Sequence, residues 1–315
     1  MRPLILALFL PSLAAGCSSR ENYLSFVDYF PGSPNTKVIL TAPHDGWIRL
    51  ESIPDRRQGC YDSSTNECDW RHDCSGVHVE GKCNAVTNSD LHSSVLAKEM
   101  RKTISELTGE TPHLVVSRLH RSKLDPNRFM DDAAQYNSVA ERAYKTFHGI
   151  IKRVHNILAA KGPAVHFDIH GYVTHAADNW TEIGYNIRTE RLNANNFTAE
   201  ESSLRALAAR AETRGIDFDS LVRGEDSLGR LIQEEEFRVV PSPEYPRPDV
   251  GKEEGRPGKY FRGGYITRKW GSLEKGEIDA VQIEFPQWVR DRSDYYGPKL
   301  GRAMATWIQK FYPDD

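Results

Sequence analysis

The chain has 315 residues, enough to bury a substantial hydrophobic core, and we expect a single large α/β domain. Its 41 basic and 44 acidic residues are scattered along the sequence and give a formal net charge of -3, which argues against nucleic acid or an anionic membrane as a partner. A hydrophobic content of 39% is typical of a globular protein and excludes a largely disordered one.

The amino terminus has the layout of a secretory signal peptide. Arg2 precedes an apolar run over residues 4–13, and small residues follow. This run is too short to cross a bilayer, and no later apolar stretch reaches the roughly 20 residues that a transmembrane helix needs. We therefore predict a signal peptide at residues 1–19 and an extracellular domain at 20–315, with no membrane contact after cleavage. Lipid attachment at Cys17 is the alternative.

A polar segment over residues 55–87 has no sustained periodicity and forms a Cys-rich insertion. It contains four cysteines, namely Cys60, Cys68, Cys74 and Cys83. An even number in an exported chain predicts two disulfides, in any of three pairings, and a four-thiolate zinc site is disfavoured because close CxxC pairs are missing. Two Asn-X-Thr sequons predict N-glycosylation at Asn179 and Asn196.

Apolar periodicity predicts strands that alternate with helices. The predicted strands cover residues 37–42, 113–116, 164–169 and 278–285. The predicted helices cover about 91–107, with Ser89 or Asp90 as its N-cap, and then 131–160, 204–214 and 299–311. Long helices between strands imply crossover connections and a mixed, mainly parallel central sheet. The Pro- and Gly-rich residues 239–264 predict a rigid loop that forms a wall or lid of a site.

Three predicted strands end in polar residues that suit metal catalysis. Ligands of open α/β sheets bind at the carboxyl ends of the strands, where His44, His170 and Glu284 are predicted to lie. Two imidazoles and one carboxylate form the ligand set of an open catalytic zinc site, and Asp90 supplies the third ligand, although it also suits a helix cap. Glu284, on an otherwise apolar strand, is the expected general base.

Several further residues stay open as contributors to this site. His166 and Asp168 alternate with His170 on one predicted strand, so either one could orient a ligand. Periodicity does not exclude five other histidines as ligands, and these are His72, His78, His92, His120 and His175.

An arginine-rich segment follows the second predicted strand. Arg118, Arg121 and Arg128 lie within eleven residues and repel one another unless anions neutralise them. Guanidinium groups bind carboxylates in a bidentate manner, which predicts a clamp for an acidic substrate. The alternative is an ion-pair network with nearby acids, here Asp125, Asp131 and Asp132.

Together these motifs resemble the N-formylglutamate amidohydrolase family, and especially its secreted animal-type members. The shared motifs are APHDG (42–46), SRLHRSKLDPNR (117–128), DIHG (168–171) and QIEFP (282–286), with the Cys-rich insertion and the later PSP (241–243) and GGY (263–265). The match runs in order over residues 37–290. The family is similar in fold to zinc carboxypeptidases, which implies a three-layer α/β/α sandwich around a mixed sheet.

The resemblance also implies roles for individual residues. It implies zinc ligation by His44 and His170 and acid/base catalysis by Glu284. Asp90 carries over as the acidic ligand, and Glu51 competes with it, because the family of carboxypeptidases places this acid three residues after the first histidine. The pair Asn127 and Arg128 resembles the carboxypeptidase pair that holds a substrate carboxylate.

The expected protein is therefore a secreted, monomeric, zinc-dependent amidohydrolase that acts on an N-acyl amino acid or a peptide with a free carboxylate. Bacterial members of the family hydrolyse N-formylglutamate. Two alternatives remain: an inactive secreted binding module with the same fold, and a zinc deacetylase or carboxypeptidase of other specificity.

Overall fold

The computed structural model describes residues 26–72, 74, 81–172, 180–249, 260–274 and 276–313. The predicted signal peptide, Asn179, His78 and His175 lie outside these residues. In chain order the strands are β1 Val27–Phe30, β2 Val38–Ala42, β3 Cys60–Asp62, β4 Glu67–Asp69, β5 His113–Ser117, β6 Ala164–Tyr172, β7 Trp180–Gly184, β8 Arg238–Val240 and β9 Ile278–Pro286. The helices are α1 Ser93–Thr108, α2 Met130–Ala134, α3 Ser138–Ala159, α4 Thr189–Asn193, α5 Arg205–Glu212, α6 Phe218–Arg223, α7 Leu228–Glu234, α8 Tyr265–Trp270, α9 Gln287–Arg290 and α10 Ser293–Phe311.

Seven strands form one mixed sheet in the order β1-β5-β2-β6-β9-β7-β8. The four strands β5, β2, β6 and β9 run parallel to one another, whereas β1 and β7 pair antiparallel to their inner neighbours. The predicted α/β class with a mixed, mainly parallel sheet is confirmed. The chain passes from β2 outwards to β5 and then back across β2 to β6, so a topological switch point lies between β2 and β6. Such a point is where open α/β sheets bind ligands.

Helices cover both faces of this sheet, giving three layers. Leu40 of β2 packs in a core cluster with Met100 of α1 and Trp307 of α10. Its neighbour Ile39 points to the other face and packs with Phe147 of α3. Successive residues of a strand point to opposite faces, and a strand covered on both sides is therefore apolar throughout, as the fully buried β2 is.

Several predicted boundaries differ from those observed. The predicted first helix begins at Ser93, and neither Ser89 nor Asp90 caps it, because Asp45 accepts the amide protons of His92 (2.7 Å) and Ser94 (3.0 Å) instead. The predicted helix over 131–160 is two helices, α2 and α3, separated where Gln135 and Tyr136 adopt positive φ and where Asn137 caps α3. Strands β1 and β7 carry no prediction, and β8 includes residues 239–240 of the predicted Pro- and Gly-rich loop.

The Cys-rich insertion contains the antiparallel pair β3–β4. Cys60 is paired with Cys74, and Cys68 with Cys83, with Cα atoms 5.3 and 5.7 Å apart. The prediction of two disulfides is therefore confirmed, with the pairing 60–74 and 68–83 out of the three possible ones. Because all four cysteines are disulfide-bonded, they do not form the alternative zinc site. Asn196 lies exposed in the loop after α4. Among the described residues, no helix has the length and apolar character needed to cross a membrane.

Candidate metal centre and active site

The site lies at the carboxyl edge of the sheet, at the switch point. His44 follows β2 by two residues, and His170 lies near the end of β6. Glu284 of β9 is the register partner of His170. Asp90 comes from the loop before α1, and its backbone amide donates to the carbonyl of His44 over 3.0 Å. Adjacent parallel strands and one backbone contact thus bring four distant residues together.

Three of these residues form a potential metal-binding group. One ligand atom each from His44, Asp90 and His170 lies within 4.8 Å of the others, and all three residues are buried. Nδ1 of His44 and Nδ1 of His170 each lie 3.1 Å from the same atom, Oδ2 of Asp90. Glu51, the competing acid, lies exposed in a turn outside this group. The structure thus assembles the predicted ligand triplet with Asp90.

The outer nitrogen of each imidazole contacts a buried carboxylate. Nε2 of His44 lies 2.6 Å from Oδ1 of Asp125, and Nε2 of His170 lies 2.8 Å from Oδ2 of Asp168. Carboxylates in this position fix the orientation and tautomer of metal-binding histidines. Each imidazole therefore donates through Nε2 and turns Nδ1 towards Asp90.

This arrangement leaves facing acceptors at the centre of the site. A neutral imidazole has one N–H group, and where Nε2 carries it, Nδ1 has only a lone pair to offer Asp90. Two lone pairs 3.1 Å from one carboxylate oxygen are satisfied either by protonation of both rings or by a shared cation. Two imidazoles and a carboxylate suit zinc, with a further coordination position left open. The donor set therefore fits the predicted Zn²⁺.

Electrostatics reinforce the anionic character of Asp90. Burial alone would raise its pKa, but His44 and His170 hold the pKa of Asp90 well below its usual range. Its Oδ2 also accepts the amide of Gly171 over 3.2 Å, and its Oδ1 lies 3.4 Å from Nη1 of Arg121. Burial alone would lower the pKa of His170, yet Asp168 and Asp90 hold that pKa well above its usual value.

Glu284 lies beside this group in an environment that favours its protonated form. Burial raises the pKa of Glu284 to about 8. The positive charge of His170 lowers this pKa, whereas the nearby carboxylates of Asp90 and Glu182 raise it. Its Oε1 accepts a hydrogen bond from Gln282 Nε2 over 2.9 Å. A carboxyl group with a raised pKa can exchange a proton near neutral pH.

A cavity of about 430 Å³, which we call the metal cavity, opens onto the group. The metal cavity is lined by the three potential ligands and Glu284, and also by Asn88, Tyr172, Tyr260, Phe261, Arg262, Gly263 and Gly264. Residues 260–264 belong to the predicted Pro- and Gly-rich loop, so the described end of this loop forms a wall of the cavity. Its Phe261 amide donates to Glu182 over 2.7 Å.

The predicted substrate-binding residues are placed differently from one another. Arg121, Asn127 and Arg128 line the metal cavity, whereas Arg118 does not and instead lies 3.7 Å from Asp28 of β1. Arg121 is held by Asp125, with Nε 2.9 Å from its carboxylate.

Asn127 has both ends of its amide engaged. Its Oδ1 accepts the amide of Ile266 over 2.8 Å, and its Nδ2 lies 3.4 Å from Gln282 Oε1. Arg128 is a third exposed at its side chain, donates to the carbonyl of Asn127 over 2.8 Å and lies 3.6 Å from the carboxylate of Asp132. It is the predicted residue best placed to meet a substrate.

Of the other candidate histidines, those among the described residues do not join the metal group. His120 contacts Arg49, His92 contacts Asp291, and His72 contacts Gln58. His166 hydrogen-bonds Thr41 over 2.9 Å, so it is Asp168 of the two alternating residues that touches a ligand.

No role in the metal site was predicted from the sequence for two residues that contact it, Asp125 and Gln282. Asp125 was considered only as a partner for the arginines, although it lies within the SRLHRSKLDPNR motif, and Gln282 opens the QIEFP motif, two residues from Glu284 on the same face of β9. Membership of a shared motif was the available signal for both.

No family model matches this chain, and no curated protein matches it. Among solved structures, the chain is similar to N-formylglutamate amidohydrolase from Ralstonia eutropha, at 13% identity and a TM-score of 0.47, over 90% of this chain and 96% of that one. It is also similar to a gene product of Agrobacterium tumefaciens, at 16% identity and a TM-score of 0.40, over 90% of this chain and 91% of that one. Identities of 13–16% and TM-scores below 0.5 are too low to support a function, which must therefore be argued from the geometry of the site.

Proposed function

We propose that this protein is a secreted zinc-dependent amidohydrolase, similar to N-formylglutamate amidohydrolase, that hydrolyses the amide bond of an N-acyl amino acid or of a peptide carrying a carboxylate. The observation that carries the proposal is the convergence of His44, Asp90 and His170 at one edge of the sheet, with Glu284 beside them. Metal ligands and a carboxyl group of raised pKa in one cavity suit metal-assisted hydrolysis.

Zinc held by these three residues would polarise the scissile carbonyl and lower the pKa of the attacking water to about 7. Asp125 and Asp168 orient the two imidazoles through Nε2, which keeps Nδ1 free to bind. Arg121 lies against both Asp90 and Asp125 and, against the effect of burial, holds the pKa of Asp125 well below its usual value, so its role is to position the ligands.

Glu284 performs the proton transfers. It accepts a proton from the attacking water and passes it to the leaving nitrogen, which departs as an amine. Gln282 holds Oε1 of Glu284, so Oε2 is the oxygen left to face the cavity. Burial raises the pKa of Glu284 to about 8 in the metal-free site, and the charge of a bound zinc would lower that pKa, favouring the carboxylate form that accepts the proton.

The substrate carboxylate is assigned to Arg128. Its guanidinium is the partly exposed cation of the segment over 117–128 that lines the metal cavity, and it donates to the carbonyl of Asn127 over 2.8 Å. Arg121 is occupied by two acids, and the amide of Asn127 is engaged at both ends, so these two shape the cavity around Arg128.

Secretion is supported by the Cys-rich insertion. Disulfides persist in oxidising compartments and are rare in the cytosol, and both observed pairs lie within one 24-residue stretch, Cys60 to Cys83. This agrees with the signal peptide predicted at residues 1–19.

The test combines metal analysis with turnover. We expect about one zinc per chain by mass spectrometry and release of formate or acetate from N-formyl- or N-acetylglutamate. Glu284→Gln should retain zinc while kcat falls about 10²- to 10⁴-fold, because only the proton relay is removed. Glu106→Gln, at an exposed position of α1, is the matched control and should keep both properties. Full turnover by Glu284→Gln would contradict its role, and a zinc-loaded protein inert towards all N-acyl amino acids would contradict the proposed function.

A further inference from the structure

A second, larger depression adjoins the metal cavity. This depression, which we call the arginine groove, has a volume of about 910 Å³. Asn127, Arg128, Arg262, Gly263 and Gly264 line both it and the metal cavity, and therefore form their common wall. The two volumes, about 430 and 910 Å³, each lie within the range of about 300–1,000 Å³ that is typical of complete ligand sites.

Glycines make this common wall thin. A Cβ atom on Gly264 would lie 2.4 Å from Asn127 Nδ2, so only glycine lets the loop pack directly on that amide. Gly263 has a φ of +121°, which a side chain would strain. Arg128 and Arg262 line both cavities, so a ligand bound in the metal cavity can contact side chains that also border the groove.

The groove carries a marked excess of positive charge. Five arginines line it, together with two glutamates, in a chain whose overall charge is -3. The lining cations are Arg128, Arg188, Arg191, Arg262 and Arg268, and the lining acids are Glu190 and Glu201.

Only one of these arginines is neutralised by an acid of the groove itself. Arg191 pairs with Glu201 over 2.7 Å. Within the described parts of the chain, Arg188 and Arg262 have no carboxylate within ion-pair distance, and the guanidinium of Arg268 lies 5.3 Å from the centre of the Phe129 ring. Five guanidinium groups that share one concave site with only two acids repel one another, and an anionic ligand relieves that repulsion.

We propose that the arginine groove binds an acidic peptide segment that continues from the amino-acid side of the scissile amide, so that the preferred substrate is an N-acyl peptide with several carboxylates. The proposal rests on the proposed function for the position of the amide, and on the groove alone for the acidic segment. Arg128 and Arg262 belong to both cavities and therefore meet the carboxylates nearest the cleavage point, while Arg188 and Arg268, which line the groove alone, meet those further along.

The first experiment measures binding and needs no turnover. Triglutamate and triglutamine peptides are titrated into the zinc-loaded full-length protein by calorimetry at low and high salt. We expect triglutamate to bind at least about tenfold more tightly, and the difference to shrink at high salt as ionic contacts are screened. Equal affinity for the two peptides would overturn the proposal.

The second experiment locates the binding. Arg188→Gln combined with Arg268→Gln changes two residues that line the groove but not the metal cavity, and should weaken triglutamate binding about 5- to 10-fold. Arg302→Gln, which removes an exposed arginine of α10 paired with Glu235, is the matched control and should bind like wild type. Unchanged affinity in the double variant would also overturn the proposal.

The third measurement separates this inference from the proposed function. We expect kcat/KM for N-formyl-Glu-Glu-Glu to exceed that for N-formyl-Glu-Gln-Gln by about tenfold, and the double variant to lose most of that ratio. Hydrolysis of both peptides at equal rates would support the amidohydrolase activity and contradict the preference for acidic peptides. Selective binding of triglutamate without any hydrolysis would support the acidic groove and contradict the amidohydrolase activity.

Discussion

Oδ2 of Asp168 lies 2.8 Å from Nε2 of His170, two residues further along the same face of β6. Asp168 is fully buried, and its other oxygen accepts from the hydroxyl of Thr41 over 2.5 Å. The carboxylate therefore has a fixed position, and through it the imidazole of His170 presents Nδ1 to Asp90.

Asp168→Asn should weaken zinc binding about 10- to 100-fold, because an amide orients and polarises the imidazole less well than a carboxylate. Zinc affinity is measured by competition with a chromophoric chelator. Asp294→Asn, at an exposed position of α10, is the control and should leave the affinity unchanged. Wild-type affinity in Asp168→Asn would show that the contact does not support the metal site.

The choice of Asp90 over Glu51 as the acidic ligand is tested by metal removal. Zinc at about 100 times its Kd should stabilise the folded chain by about 2.7 kcal/mol, seen as a higher Tm than in a chelator. Asp90→Asn should abolish this difference, since the carboxylate between the two imidazoles is lost. Glu51→Gln should retain it, and the opposite result for the two variants would move the ligand to Glu51.

Gly171 permits a buried arginine to brace the site. A Cβ atom at this position would lie 2.0 Å from Nε of Arg290, which is 2% exposed and donates to the carbonyls of Phe285, Tyr172 and Leu91. Arg290 thereby ties the ends of β6 and β9 to the loop that carries Asp90.

Gly171→Ala should lower the free energy of unfolding by about 1–3 kcal/mol, because Arg290 cannot move without losing its acceptors. Gly149→Ala, within α3 and with no atom near the added methyl group, is the matched control and should raise that free energy by about 0.5–1 kcal/mol. Urea denaturation measures both. A neutral result for Gly171→Ala would mean that the guanidinium has room to shift.

Acid lability is expected from His148 of α3. Burial lowers the pKa of His148 to about 3. Its Nε2 lies 2.9 Å from the carbonyl of Pro126, and its Nδ1 accepts from Trp270 Nε1 over 3.1 Å, which is the bonding of a neutral ring. Protonation at Nδ1 would break the contact with Trp270.

Between pH 6.5 and about 3 the unfolded chain binds a proton at His148 that the folded chain does not, so stability falls as the pH falls, by up to about 1.4 kcal/mol per pH unit. His148→Gln should reduce the slope of unfolding free energy against pH by about that amount in this window. His92→Gln, at an exposed position, should keep the wild-type slope. An unchanged slope in His148→Gln would assign the acid lability to other groups.

The amino-acid pattern was sufficient to predict strands β2, β6 and β9 and the polar residues at or just beyond their carboxyl ends. A buried parallel strand is apolar throughout, so the polar residues that end such strands are conspicuous, and parallel neighbours bring His44, His170 and Glu284 to one edge of the sheet. Alternation along β6 also indicated His166 or Asp168 as a partner of His170, since residues two apart share a face, and the structure places Asp168 against the ring.

Contacts between the loops and the residues at the strand ends could be seen only in the folded structure. Asp125 meets His44 across 81 positions. Asp90 is buried against both imidazoles and its amide donates to the carbonyl of His44, whereas Glu51 lies exposed. The path of the chain likewise directs Arg118 to β1, selects one of three disulfide pairings and gathers arginines from three separate stretches of sequence into a groove. Local periodicity carries no information on such meetings, because they arise from the packing of segments that are far apart in the sequence.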